Sequence, residues 1–248
     1  MSFFQSILLF LFPTWFCKLL FIKSKSVVIG KNSKIGFSYI KCKKLKLGPN
    51  CKIGHLNYIS VGGVYLKSGC YIQHLNFIRG QFDIIMEDNS WINNKNKISS
   101  IGNAYHNVVL NLNEGASIGV RHLLDMTDSI TIGAYSMLAG ADTQIWTHSF
   151  FFSKDSPKFA RLDAPVNIGK HCYIGARCCI LSGVNISDAV TVGAQTCVSK
   201  SLDKQGLYVS QGLRYIEFDP NKRISSFHTP MSKDFIFSKN VEERNNNK

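Results

Sequence analysis

Between Val166 and Leu202 an aliphatic residue falls at every sixth position: Ile168, Ile174, Ile180, Ile186, Val192 and Val198. Four residues after each of the first five sits a small or medium side chain: Cys172, Cys178, Val184, Val190 and Thr196. A helix cannot use a strict period of six, because 3.6 residues per turn carries such a stripe around its axis. In a strand successive side chains alternate, so positions i and i+4 share one face. Six residues therefore read as a short strand and a corner, and three such sides close a triangular coil of about eighteen residues. Stacked coils bury a column of aliphatics, each contributing roughly 1.5–3 kcal/mol. The fold is a solenoid, with stability summed coil by coil.

The pattern recurs at Ile29-Gly30, Ile35-Gly36, Leu47-Gly48, Ile53-Gly54, Leu66 and Ile72. "CKIGHLNYIS", from Cys51, returns nineteen residues later as "CYIQHLNFIR", from Cys70. One coil plus one inserted residue accounts for the interval, with the insertion expected at the Gly62-Gly63 turn. Cys51, Cys70, Cys172 and Cys178 read as small inward hydrophobes, and His55 and His74 as stacked, solvent-facing corner residues. The register is poor between 81 and 112, then resumes at Leu112, Ile118, Leu124, Ile132 and Leu138. The eight-residue step from Leu124 to Ile132 implies two bulged residues in "LLDMTDSIT". After Ile145 the pattern stops for "WTHSFFFSKDSPKFARLDAPVN". Long excursions from a regular scaffold are usually functional or disordered. The organisation expected is an apolar helix over 1–24, an all-β parallel β-helix over 25–216 with an extruded loop at 146–165, and a C-terminal tail over 217–248 that ends in the polar "VEERNNNK".

Charge is unevenly placed. The 248-residue chain has a net charge of +13, and its first acidic residue is Asp83. Eleven Lys and one Arg precede it, so +12 lies in the first 82 residues. The apolar stretch "FFQSILLFLFPTWFCKLLFI" has just the length of a bilayer span. Gln5, Pro13 and Lys18 interrupt it, which suits an interfacial helix better; packing on the core is the alternative. Apolar segment and basic surface together point to an anionic membrane face. Nucleic acid is disfavoured, because no aromatic-basic recognition motif accompanies the charge. Eight Cys without a CxxC pair, in a chain without a secretory signal pattern, read as reduced thiols of a cytoplasmic protein.

"PVNIGKHCYIGARCCILSGVNISDAVTVGAQTCVSK" resembles the C-terminal coils of hexapeptide-repeat acyltransferases. Within them it is most similar to the maltose/galactoside O-acetyltransferases and the O-acetyltransferases of bacterial surface polysaccharides. "RHLLD" (121–125) and "TQIWTHSF" (143–150) resemble the catalytic segment of the polysaccharide group, and the similarity covers about residues 112–216. The resemblance implies a left-handed β-helix and a homotrimer with active sites between subunits. It also implies acetyl-CoA as donor and a sugar or glycan, free or lipid-linked, as acceptor.

Transfer of an acetyl group to a hydroxyl needs a general base as the oxygen attacks, and histidine suits this near neutral pH. The thioester is already activated, so the reaction calls for no metal. His148, where the regular wall stops, aligns with the family's catalytic His; His122 is the runner-up or a second member of the site. Asp125, Asp128 and Asp142 are candidates to orient the imidazole, with Asp125 favoured. By resemblance Ala176 and Ala194 leave room for the pantetheine arm. Ser199 and Lys200 match a family Thr-Lys, and Lys200 and Arg214 are placed to pair with CoA phosphates. "GLYVSQGLRYI" lacks the proline of the usual closing turn, which bears on Arg214. Segment 81–111, with Trp91, and Phe150–Phe152 are expected to line the acceptor site. Three other readings stand beside this one. An N-acetyltransferase acting on an amino or nucleotide sugar needs the same base. A non-catalytic trimerisation scaffold needs none. A zinc carbonic anhydrase of the same fold needs closely spaced histidines, which His106, His122 and His148 do not provide.

Overall fold

The computed structural model describes residues 3–21, 24–100, 107–152, 154, 159–210, 214–219, 229–232 and 235–237. Three parallel sheets form the walls of a β-solenoid. The first holds eight strands, from Val27–Ile29 to Asn185–Ile186. The second begins at Lys34–Ile35 and runs through Val190–Val192 to Gly206–Val209, where Arg214–Ile216 adds antiparallel. The third holds eight, from Tyr39–Lys41 to Cys197–Val198. Aliphatics stack in register inside these walls. Ile53, Ile72, Ile92, Ile118, Leu138 and Ile174 line the second; Ile59, Ile78, Ile98, Leu124, Ile145 and Ile180 line the third, all buried.

The corners carry the irregularity. Between the second and third walls a left-handed residue recurs in seven successive coils: Leu56, Leu75, Lys95, Arg121, Asp142, Arg177 and Gln195, with φ between 56° and 64°. Just beyond it, inside the corner, runs a buried polar ladder. Ser38, Asn57, Asn76, Asn96, His122 and Thr143 each accept a backbone N–H from the following coil at 2.8–3.2 Å. The Asn57 and Asn76 oxygens each also accept the next asparagine's side-chain N–H. Buried amides that would otherwise lose their water partners are satisfied in this way.

Three expectations change and one is met. The inserted residue lies at the corner Gly54–Asn57: Ile35 pairs with Ile53, eighteen residues on, whereas Tyr39 pairs with Tyr58 and Lys44 with Gly63, nineteen on. The added residue lets Leu56 turn left-handed, which the first coil does not do. Segment 81–111 is largely regular wall: Phe82–Met86, Trp91–Ile92, Lys97–Ser99 and Val108–Leu112 all pair with neighbouring coils. Extra corner residues had thrown the hexad count out of phase, and only residues 101–106 within it lie outside the described residues. The eight-residue step after Leu124 does hold two extra residues: Leu124 to Ile132 spans eight, whereas Ile180 and Ile186, which align with them in the third and first walls, are six apart. A separate register shift falls opposite Ile118 and Val120, beside Gly140. Finally, the excursion after Ile145 contains an antiparallel hairpin, His148–Phe152 against Phe159–Asp163.

Two helices, Phe3–Leu11 and Thr14–Leu20, pack on the open end of the first coil. Leu9, Cys17 and Phe21 enter the core with Val27, Ile35 and Ile40. Ile35 N–H donates to Thr14 Oγ1 at 2.7 Å, Thr14 Oγ1 donates to the Ile35 carbonyl at 3.0 Å, and Lys18 Nζ donates to the Gly30 carbonyl at 2.9 Å. These contacts cover edge strands that would otherwise invite pairing. No helix among the described residues is long and apolar enough to cross a membrane. Cys51, Cys70, Cys172 and Cys178 are buried free thiols, and the His55 and His74 rings stack 5.5 Å apart. The tail segment 238–248 lies outside the described residues.

Candidate active site

The third wall and its exit corner bring Asp125 to His148. Asp125 ends strand Leu123–Asp125, and His148 opens the hairpin one coil later. His148 Nδ1 lies 2.8 Å from Asp125 Oδ2. Against a carboxylate the Nδ1 atom must carry the proton, so in the neutral ring Nε2 bears the lone pair. Asp125 is held on every side. The Thr147 N–H donates to its Oδ2 at 3.0 Å, the Thr147 hydroxyl lies 2.9 Å from the same oxygen, and the Thr127 hydroxyl donates to Oδ1 at 2.8 Å. Thr127 Oγ1 also lies 3.3 Å from His148 Nδ1. The Asp125 side chain is 3% exposed and that of His148 13%. Trp146 and Phe150 stand edge-on to the imidazole, with ring centroids 6.0 and 5.3 Å away.

The other aspartates are engaged elsewhere. Asp128 Oδ1 accepts the Ser129 N–H at 2.6 Å. Asp142 takes a bidentate pair from Arg121, at 3.0 and 2.9 Å. Arg121 holds the Asp142 carboxyl below the usual carboxylate range. Across the hairpin from His148 stands Asp163, paired with Arg161 at 2.7 Å.

His122 occupies a rung of the corner ladder. The Thr143 N–H donates to its Nδ1 at 3.0 Å, which leaves Nε2–H to donate to the Leu138 carbonyl at 3.2 Å. Both nitrogens are committed, and burial lowers its pKa from the ordinary 6.5 to about 4. His106 lies outside the described residues.

The residues expected to hold the donor fall along the last coils. Ala176 and Ala194 stack in successive coils, the Gln195 N–H donating to the Ala176 carbonyl at 2.8 Å. Gly140, with φ +66°, precedes them, and a Cβ there would stand 2.8 Å from the Ala176 Cβ. Gly140, Ala176 and Ala194 thus form a strip of small residues, with Gly140 and Ala194 exposed and Ala176 half-buried, a shape that fits an extended pantetheine arm. Ser199 and Lys200 are exposed just after the last third-wall strand. Arg214 lies in the antiparallel closing strand, and its side chain is outside the described residues. Trp91 lies in the second wall, not in the third wall that carries Asp125, and stacks on Tyr71 at 5.7 Å. Phe150, Phe151 and Phe152 are exposed on the hairpin.

The two threonines that fix Asp125 were not legible as site residues. Thr147 was visible only as the neighbour of His148, and Thr127 sits in a corner whose course the hexads do not specify.

Residues 165–199 match the family model described as the hexapeptide repeat of succinyl-transferase. No curated protein sequence matches the chain. Among solved structures, the N-acyltransferase AntD from Bacillus cereus, complexed with dTDP and coenzyme A, is 18% identical over 82% of this chain and 91% of its own, with a TM-score of 0.38. The polySia-specific acetyltransferase NeuO is 17% identical over 78% and 81%, with a TM-score of 0.44. A hexapeptide-repeat-containing acetyltransferase from Vibrio cholerae, complexed with acetyl coenzyme A, is 15% identical over 86% and 82%, with a TM-score of 0.37. Likenesses this distant assign neither a reaction nor a residue.

Proposed function

We propose that this chain is an acetyl-CoA-dependent O-acetyltransferase acting on a sugar hydroxyl of a bacterial surface glycan, with His148 as general base and Asp125 as its orienting partner. The observation that carries this is the 2.8 Å contact between His148 Nδ1 and a carboxylate fixed by two threonines. It sets the tautomer that a base needs, with a free lone pair at Nε2. Acetyl-CoA supplies the acyl group already activated as a thioester. Gly140, Ala176 and Ala194 would flank its arm, and Ser199, Lys200 and Arg214 its phosphate end. His148 takes the acceptor proton at Nε2, and Asp125 balances the imidazolium formed. His122, with both nitrogens committed, supports the corner beside the site rather than exchanging protons. The assembly that goes with this reading is a homotrimer of the 27.8 kDa chain, measurable by light scattering.

The test is acetyl-CoA-dependent thiol release with extracted surface glycan as acceptor, comparing wild type with His148→Ala. Loss of the base lowers turnover about 10²–10⁴-fold with CoA binding retained. Equal activity in the variant removes His148 from the mechanism. Turnover only with an amino sugar moves the reaction to N-acetylation. A wild type that binds no CoA is a scaffold.

A further inference from the structure

The end of the solenoid where the helices pack differs from the rest of the surface. The two helices bury Leu9, Cys17 and Phe21 beneath them and leave an apolar outer face. Phe3, Phe4, Leu11, Phe12, Trp15 and Leu19 are all exposed, Trp15 at 66%. Contiguous apolar surface of this kind marks an interaction site rather than ordinary exposure. Beside it, between the helices and the second wall, opens a cavity of about 710 Å³ lined by Phe10, Pro13, Trp15, Phe37 and the stems of Lys18 and Lys34. Around this end the first two coils carry exposed lysines on all three walls and at the corner before the second: Lys31, Lys34, Lys41, Lys46 and Lys52. No acidic residue precedes Asp83, so these two coils carry no acidic side chain of their own.

We infer that this end is a docking surface for an anionic lipid bilayer, met end-on by the helix pair and the ring of lysines. The charge selects the occupant. A second copy of the same end would bring together two lysine rings that hold no acidic side chain of their own, whereas an anionic headgroup layer neutralises them. The helices have nine and seven residues, about 14 and 11 Å at 1.5 Å per residue, against a hydrocarbon core of about 30 Å. They lie in the interface and do not span it. Trp15 and the phenylalanines are the side chains that settle at headgroup depth.

End-on docking fixes a height. Along the third wall, four strand steps separate Tyr39–Lys41 from Leu123–Asp125, and at about 4.8 Å per step the dyad stands roughly 20 Å above the docked end. For the acceptor this extension rests on the O-acetyltransferase reading. It specifies a lipid-linked glycan modified a few sugar units from its anchor. The docking itself does not depend on the chemistry at His148.

The experiment is co-sedimentation of the full chain with phosphatidylcholine vesicles, with and without phosphatidylglycerol. Wild type pellets with the anionic vesicles and is released at 1 M salt, where the Debye length is about 3 Å. Lys31→Gln, Lys34→Gln and Lys46→Gln together lower the partition coefficient on the order of 100-fold, at about one kcal/mol per lysine. Trp15→Ser with Leu19→Ser, both at exposed positions, abolishes pelleting without altering the melting temperature. His148→Ala pellets like wild type whether or not the catalytic reading holds. Wild type remaining in the supernatant with anionic vesicles overturns the proposal. So does a Trp15→Ser, Leu19→Ser variant that binds normally, or one that merely splits an oligomer, since a second copy would then be the occupant.

Discussion

His122 and His148 lie about one coil apart in the stack, and their neighbours give them opposite chemistry. At His148 the Nδ1–H donates to a carboxylate and Nε2 is left as the lone-pair nitrogen; at His122 a backbone N–H donates to Nδ1 and the Nε2–H donates to a carbonyl. Protonating His122 therefore breaks a rung of the ladder. With its pKa lowered by burial to about 4, the unfolded chain holds a proton between pH 4 and 6.5 that the folded chain does not. Stability from this residue is complete above about 6.5 and is lost as pH falls through that window, by about 3 kcal/mol at most. Thermal melts by circular dichroism should show it, and His122→Asn, which continues the asparagine ladder, should flatten the profile. Asp125→Asn tests the other histidine. It removes the charge that sets the tautomer and should lower kcat roughly 100-fold with KM little changed, in the same thiol-release assay. His148 was legible as the candidate base because a Thr-His pair stood where the repeat stopped. Its partner could be separated from Asp128 and Asp142 only in three dimensions, since the exit corner after Asp125 and the shift near Gly140 decide which carboxylates reach His148.

Each coil is three strands and three corners, and the two kinds of element differ in what the sequence reveals. Strands were readable, because one inward aliphatic every six residues has no alternative use in a helix. Corners were not. A single extra residue at Gly54–Asn57, or the longer excursion after Ser99, shifts the count without disturbing the wall, and so made the regular strands from Phe82 to Val108 look irregular. The walls should accordingly be intolerant and the hairpin expendable for folding. Ile98→Ala, fully buried mid-stack, should cost about 2–5 kcal/mol in urea unfolding. Replacing Phe150–Arg161 with a two-residue turn should leave the melting temperature within a few degrees, because among the described residues its two strands pair with each other and with no wall strand. The same variant should lose acetyl transfer if the hairpin shapes the acceptor side of His148.

Taken whole, the molecule is polarised along one axis, with lysines and apolar helices at one end, the dyad in the middle and the strip of small residues beyond it. Twelve of thirteen net charges sit before Asp83, so binding to any polyanionic surface should weaken steeply with salt, while turnover on a soluble acceptor should not. A cyclic homotrimer with its solenoids along the rotation axis would present three such ends on one side, multiplying weak single contacts into firm attachment. The buried ladder from Ser38 to Thr143 has a consequence for how so long a stack assembles correctly. Near-identical coils invite docking one hexad out of step, since one aliphatic row fits another. A slipped coil would leave the carboxamides of Asn57, Asn76 and Asn96 facing isoleucines, with buried amides unpaired at each level. The ladder therefore proofreads the growing stack: greasy walls supply the adhesion, and a few buried polar rungs reject every phase but one.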